Sequence, residues 1–507
     1  MVSTVRQRLL RNTAWNYIGF AVNLAVNVLL FPLAIACMGD AATGVWLLIG
    51  SVSGYMGLLQ LGLTPAMGQF AAMHIARRDD DGLARTVSTA LALVSGFGAM
   101  ALLALPAVPW MLDWFSVPAE IRGEASTAFV LGIVGVPLQM PGHVFNAVLG
   151  ASQRQDRSTQ VWMVSLSGKL IGIAALLMLG YGVAAVMWLE TALILIADVM
   201  LMVLAFDAAP QLRLSRHSVS ADDARQLLGL GGWMFVNSLA SLLIENTDRI
   251  VIGVFLSVVA VTPYAAAWKI YMLAYSVCTT LVQAVWPAAA ALHAHGDVAG
   301  LQRLFLRMTK YCLVVAWPLT LSLGLSAALV LRVWMGPAFA EHYAVVQVLL
   351  ACFVVAAHNH VGMSILAAMR LVRPVVLGYS LPQALLNLLL SIWLIQHLGI
   401  LGVALGTFIP IALLQVTLMP MVLGAVQLGW DQLWRDVVRP TAAPALIAYA
   451  PTVLVYAANG PHSPWVFASA VASGVVYAAM VWHVTAPGER QELAALVPVP
   501  FRRFLAE

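Results

Sequence analysis

Charge is what this chain has least of. Asp, Glu, Lys and Arg make up 9% of its 507 residues against 62% hydrophobic ones, with a mean hydropathy of +0.90. That balance excludes a water-soluble globule, where about a quarter of residues are charged. Cysteine is nearly absent: Cys37, Cys278, Cys312 and Cys352 show no CxxC spacing and lie in or beside apolar runs, so they read as small core residues. Gly168 and Lys169 lack the glycine five positions before Gly168 and a following Ser or Thr, so there is no phosphate loop. His293 and His295, like His358 and His360, are two apart and point to different sides of a helix, which is no metal spacing. These absences leave no catalytic residue, no metal and no cofactor to assign.

What the chain does have is apolar runs of about 20 residues, the length that crosses a bilayer as a helix. Roughly fourteen occur, near 14–37, 43–70, 87–111, 125–151, 159–180, 182–205, 229–256, 262–291, 309–332, 343–368, 374–396, 400–425, 440–458 and 464–484. The chain is therefore expected to be an all-α integral membrane protein. Starting inside, twenty-one of its 26 Lys and Arg fall in cytosolic segments, only Arg122 and Arg332 fall outside, and Lys169, Arg249 and Lys269 fall in the membrane. Adding or losing one span would scramble that split, so positive-inside bias puts both termini in the cytosol. The net charge of +4 then speaks of topology, not of nucleic acid. Outer loops are short, the longest about 113–124, which disfavours an enzyme that polymerises sugars there.

The sequence also repeats. HIARRDDDGLAR (74–85) is echoed by LHAHGDVAGLQR (292–303), HVFNAVLGASQRQDR (143–157) by NHVGMSILAAMRLVR (359–373), and GVAAV (182–186) by GVALG (402–406). The spacing predicts two six-helix repeats at 1–206 and 229–425, joined by a cytosolic linker at 207–228. Two additional spans at 440–484 and a cytosolic tail at 485–507 follow. An even number of spans per copy makes the repeats parallel, which suits a rocking transporter with a central cleft. In the linker, Ser220 and Asp223 read as a capping box for a short helix leading into the seventh span.

Polar residues inside the spans mark the candidate site. Asn16, Asn23 and Asn27 share one face of the first span, and Glu245, Asp248, Arg249 and Lys269 sit in the apolar hairpin 229–291. Four unpaired charges at mid-membrane would cost on the order of 10 kcal/mol, so they pair or face water. Glu245 and Arg249 are four apart on one helix face, and Asp248 and Lys269 lie at similar depth either side of the turn. Two readings stay open: a buried charge network fixing two helices together, or the lining of a cavity that moves something polar. Lys169, near mid-membrane, has Glu190 and Asp198 of the next span as possible partners, although the register matches neither closely.

The motifs MGDAATGVW (38–46), LLQLGLTPAMGQFAA (58–72), TDRIVIGVFLSVVAVTPYAAAWKI (247–270) and LGILGVALGT (398–407), in this order, give the chain from about 10 to 425 a resemblance to a known family. It resembles the multidrug, oligosaccharidyl-lipid and polysaccharide exporter superfamily, in its polysaccharide exporter and O-antigen flippase branch. The resemblance implies a flippase in a bacterial cytoplasmic (inner) membrane. Its cargo would be a polyprenyl-pyrophosphate-linked oligosaccharide, moved from inner to outer leaflet for O-antigen, capsule or exopolysaccharide. Membrane lipids and a polysaccharide polymerase or export machinery are the implied partners. Basic residues would meet the pyrophosphate, here Lys169, Arg249 and Lys269 with Arg11 near the inner mouth. Asn16, Asn23, Asn27 and aromatics such as Tyr264, Trp268, Tyr271 and Tyr275 would meet sugars. A proton or sodium gradient would act through an acid, Asp248 first and Glu245 next. The alternatives are a drug or cation antiporter of the same fold and, third, a membrane glycosyl-polymerising enzyme.

Overall fold

The computed structural model describes the backbone of residues 2–60, 63–282 and 285–484. Side chains are described within these except at 2–25, 27, 59–60, 65, 216, 229–238, 240–241, 245, 280 and 484. Among the described residues there is no strand. The chain divides into two compact units, Met1–Thr262 and Pro263–Glu507. The first holds α1 (Val2–Met56), α2 (Leu63–Arg77), α3 (Asp80–Ala101), α4 (Val108–Trp114), α5 (Arg122–Ala151), α6 (Gln155–Met178), α7 (Val183–Ala208) and α8 (Ala221–Phe255). Helix α9 (Val258–Val282) starts at its end and leads into the second. There follow α10 (Val285–Ala294), α11 (Val298–Leu325), α12 (Ala327–Met335), α13 (Tyr343–Ala368), α14 (Val372–Val375), α15 (Leu381–Leu398) and α16 (Ile400–Leu413). Last come α17 (Gln415–Val426), α18 (Trp430–Leu433), α19 (Arg439–Asn459) and α20 (Pro464–Val484).

Among the described residues, 11 helical stretches are long and apolar enough to cross a membrane. The protein is a multi-pass, all-helical membrane protein. Of the fourteen spans expected, the three that are not among these 11 fall on the first part of α1, on α8, and on α9 with α10. Undescribed side chains are concentrated in the first part of α1 and in α8. Helix α1 is two helices in series, because Gly39 adopts φ 78°, ψ 173°, a conformation an L side chain rarely takes. The second expected span is interrupted at a 3₁₀ turn, Gly57–Gln60, upstream of Pro65. Pro65 instead sits in the first turn of α2, where a missing N–H costs little.

The turns repeat as the sequence does. Asp79 caps α3 by accepting from Gly82 N at 2.8 Å, and Asp297 caps α11 by accepting from Gly300 N at 2.7 Å. The residues before these caps, Arg78 and Gly296, both have positive φ, 55° and 66°. Helices α5 and α13 end alike on Gln153 (φ 56°) and Arg370 (φ 61°). In both caps the third residue has to be glycine. A Cβ at Gly82 would lie 2.1 Å from Asp79 Oδ2 and 2.3 Å from His74 Nδ1, and one at Gly300 would lie 2.4 Å from Asp297 Oδ2. Gly82→Ala and Gly300→Ala are each expected to lower the melting temperature of the purified protein by a few degrees, read by differential scanning fluorimetry. The Gly82 amide, and then His74 at 2.8 Å, hold the Asp79 carboxyl below its ordinary value. The stabilisation this capping gives is thus present above the usual Asp range near ~4 and is lost as pH falls through the depressed value.

Two expectations need correction. Ser220 does cap α8, accepting from Asp223 N at 3.3 Å, but its own N–H goes to Thr89 Oγ1 at 3.0 Å, so the box is one-sided. The helix it starts is no separate short one, since α8 runs unbroken for 35 residues. Cys278, Cys312 and Cys352 are buried, whereas Cys37 is exposed two residues before the Gly39 break. A membrane protein's exterior meets lipid, so a small, weakly polar side chain is as acceptable outside as inside, and burial is not readable from apolarity there.

Candidate functional site

In the first unit the motif at 38–46 packs against the part of the motif at 247–270 that lies there. Gly44, on the second helix of α1, faces the start of α9 so closely that a Cβ would lie 2.1 Å from Val258 O. Thr262 Oγ1 donates to Asp40 O at 2.9 Å, beside the Gly39 break, and Val258 N donates to Phe115 O at 3.1 Å. A Cβ at Gly253 would meet Phe115 and Leu48 at 2.9–3.1 Å. Deeper along the same contact Tyr55 OH bonds Thr247 Oγ1, and Arg249 Nη1 donates to Ser51 Oγ at 3.3 Å. Asp248, between Thr247 and Arg249, is 1% exposed. Ser53 donates to Gly132 O at 3.3 Å and ties α1 to α5.

The end of the first motif, Trp46, belongs to a three-residue charge site. Lys169 on α6 forms a salt bridge with Glu190 Oε1 on α7. Trp46 Nε1 donates to that same oxygen at 3.3 Å, and the Lys169 ammonium stands 5.5 Å from the Trp46 ring centroid, within cation–π range. The Lys169 side chain is 36% exposed and that of Glu190 17%. Of the two partners considered for Lys169, Glu190 is the one it meets. The register is closer than spans ending at 180 and 182 imply, because the turn is fixed by Gly180 (φ 82°) and a lysine stem spans the remaining offset. Asp198 is engaged elsewhere, accepting from Gly142 N on α5 at 3.2 Å, where a Cβ would lie 2.0 Å from its Oδ1. From Gly39, Gly182 and Met178, the helix ends on one side, Trp46, Glu190 and Lys169 lie about seven to nine residues in. That is a common depth of ~10–14 Å. Trp46 was not singled out from the sequence, although the motif that carries the resemblance ends on it.

In the second unit Lys269 lies half-buried on α9, beside a ladder of aromatic rings. Tyr264 and Trp268 stack at 6.3 Å, Trp268 meets Tyr271 at 5.1 Å, Tyr271 meets Tyr275 at 5.7 Å, and Tyr275 meets His360 edge-on at 4.9 Å. Tyr264, Trp268 and Tyr271 are buried. His358 Nε2 pairs with Gln415 Oε1 at 3.0 Å, and among the described residues no group of three or more His, Cys, Asp or Glu is placed to hold an ion. Gln383, Asn387 and Ser391 are buried on α15, and Asn387 Nδ2 donates to Thr407 Oγ1 on α16 at 3.0 Å. The side chains of Arg11, Asn16, Asn23, Asn27 and Glu245 lie outside the described residues.

With this geometry in hand, comparison with known proteins decides the family. The model for polysaccharide biosynthesis proteins matches residues 61–344, more than half of the chain. The chain belongs to the polysaccharide biosynthesis protein family. A candidate O-antigen transporter of Shigella flexneri is 21% identical to this family member over 414 residues, 80% of this chain and 95% of that one. The uncharacterized membrane protein EpsK of Bacillus subtilis is 22% identical over 334 residues, 65% of each chain. Among solved structures, the lipid II flippase MurJ in its inward closed conformation matches with a TM-score of 0.72 at 12% identity, covering 93% of this chain and 98% of that one. An inward-facing multidrug resistance MATE family transporter of the MOP superfamily matches with a TM-score of 0.71 at 14% identity, covering 83% and 98%. This polysaccharide biosynthesis protein therefore has the helical fold that MurJ and the MATE transporters share, and the exporter and flippase branch read from its motifs is borne out.

Proposed function

We propose that this member of the polysaccharide biosynthesis family is a transporter, not an enzyme, and that it moves a polyprenyl-pyrophosphate-linked oligosaccharide from the inner to the outer leaflet by alternating access. The observation that carries the proposal is Lys169: a half-exposed ammonium inside an apolar helix, in a chain whose family serves polysaccharide biosynthesis. Glu190 compensates the ammonium at rest, and the exposed part of Lys169 stays open to a second anion, which a pyrophosphate on a lipid would supply. Lys169, Arg249 and Lys269, with Arg11, take the pyrophosphate role. Asn16, Asn23 and Asn27 take the sugar role, and Asp248 and Glu245 the ion-coupling role. The proposal includes fourteen spans, repeats at 1–206 and 229–425, cytosolic termini and a bacterial inner membrane, with hand-off to a polymerase on the outer side.

Depletion of the protein in its host, scored with an enzyme that reaches lipid-linked oligosaccharide only on the outer face, tests the function. Accumulation on the inner leaflet with loss of surface polymer is the expected result. Normal distribution with altered sensitivity to cationic drugs would point to an antiporter of the same fold instead. At the coupling site, Asp248→Asn is expected to flatten the pH dependence of transport in proteoliposomes, and an unchanged profile excludes Asp248 from coupling.

A further inference from the structure

We propose that Glu190 is the release group of the lysine site: it stands on Lys169 in place of the cargo's phosphate, yields when the phosphate arrives, and retakes the ammonium to expel it. This deepens the proposed function and rests on Lys169 meeting the cargo. Glu190 Oε1 occupies the Lys169 ammonium and also accepts the Trp46 indole N–H, so one oxygen is held by two donors from two other helices. An oxygen of a phosphate or pyrophosphate offers the same acceptor chemistry with more charge and is the natural competitor for both donors. The lysine remains open to a competitor, since it is the more exposed partner, 36% against 17%.

The aromatic ring adds the second half of the device. The Trp46 face near the ammonium keeps partial stabilisation on Lys169 whichever anion holds it. Exchange therefore never passes through a bare cation in lipid. Without Glu190, a phosphate leaving the site would abandon an uncompensated ammonium, and departure would be slow. On the proposed orientation the three residues lie ~10–14 Å from the outer helix ends, in the half of the membrane where cargo has to be let go.

The test uses full-length protein purified in detergent and radiolabelled farnesyl pyrophosphate, with farnesol as the phosphate-free control. Glu190→Gln is expected to tighten farnesyl pyrophosphate binding at least about tenfold, the scale of one charge-assisted contact, while slowing export in cells. Glu190→Asp, which keeps the charge but shortens the arm, is expected to fall between Glu190→Gln and the parent, and covers the case in which Glu190→Gln does not fold. The Lys169→Gln, Glu190→Gln double variant removes both charges and is expected to bind more weakly than the parent. If the double variant binds as the parent does, Lys169 does not meet phosphate and the lysine reading itself falls. If the double variant is weakened but neither Glu190→Gln nor Glu190→Asp binds tighter than the parent, the release role is overturned while the lysine reading stands.

Discussion

Lys169→Ala is expected to lower the thermal stability and the yield of folded protein, and Glu190→Gln in the same chain to bring part of it back. Breaking a buried ion pair by deleting one partner costs about 3–5 kcal/mol, because the remaining charge is left uncompensated. With Lys169 36% exposed the lower end of that range applies, yet it is a large share of the roughly 5–15 kcal/mol that holds a typical domain folded. The loss falls on the α6 and α7 packing, since the pair is the charged link between those helices and the Trp46 contact is built on it. Neutralising both partners removes the uncompensated charge, so the double variant is expected to fold. Fluorescence-detected size exclusion of a tagged protein reads the outcome. Parental amounts of monodisperse Lys169→Ala would show that the pair contributes nothing to holding α6 on α7.

The second large effect is expected at Gly406. A Cβ there would lie 2.4 Å from Ser391 Oγ and 2.8–2.9 Å from the Ser391 backbone, and one at Gly402 would lie 2.3 Å from Leu394 O. Backbone atoms cannot step aside as a side-chain tip can, so α16 would have to leave α15. In a bilayer no hydrophobic force draws the helices back together, and their association rests on close van der Waals approach and interhelical hydrogen bonds. Separation would also stretch the buried Asn387 to Thr407 bond. Overpacking of this kind costs about 1–3 kcal/mol for an added methyl and more for a branched side chain. Gly406→Ala is therefore expected to lower thermal stability measurably and Gly406→Val to abolish folded yield. Gly424→Ala is the control, because nothing lies within 4 Å of its Cβ position. Unchanged stability of Gly406→Val would refute the close approach.

These two sites show what was legible in the sequence. The all-helical, multi-pass class follows from apolar length alone, because insertion into lipid leaves few ways to satisfy a backbone. The GVALG echo was readable as a pattern, but its physical meaning was not: Gly406 marks a backbone contact in one half, while the matching Val186 is simply a buried side chain. Likewise the motif 38–46 looked like a family signature, and each of its parts has a local task. Gly39 breaks the helix, Gly44 admits Val258, and Trp46 holds Glu190. Side-chain pairing across helices resisted reading, because a lysine's reach blurs register by about a turn and the partner's depth depends on where the turn is fixed. On α15, Gln383, Asn387 and Ser391 are buried, and the Asn387 amide is engaged with α16.

The left-handed turns record a conflict between two stages in the life of the chain. On the outer side, as proposed, these turns fall at Gly39, Ser116, Gly180, Gly336, Gly399 and Gly460, so glycine takes all but one of them. On the inner side they fall at Arg78, Gln153, Gly296, Arg370 and Gln427, and glycine takes only one. A residue with a Cβ pays roughly 1–2 kcal/mol in the αL conformation that Gln427 takes, whereas Gly39, Gly336, Gly399 and Gly460 combine positive φ with an extended ψ that is essentially glycine's alone. Arginine at the inner turns is what the translocation machinery reads to decide which loops stay behind. Two of the proposed inner corners, Arg78 and Arg370, thus accept a conformational cost at positions where a positive charge also marks the side that stays behind. Replacing these two with glycine would relieve the backbone and at the same time remove two of the positive charges that mark that side.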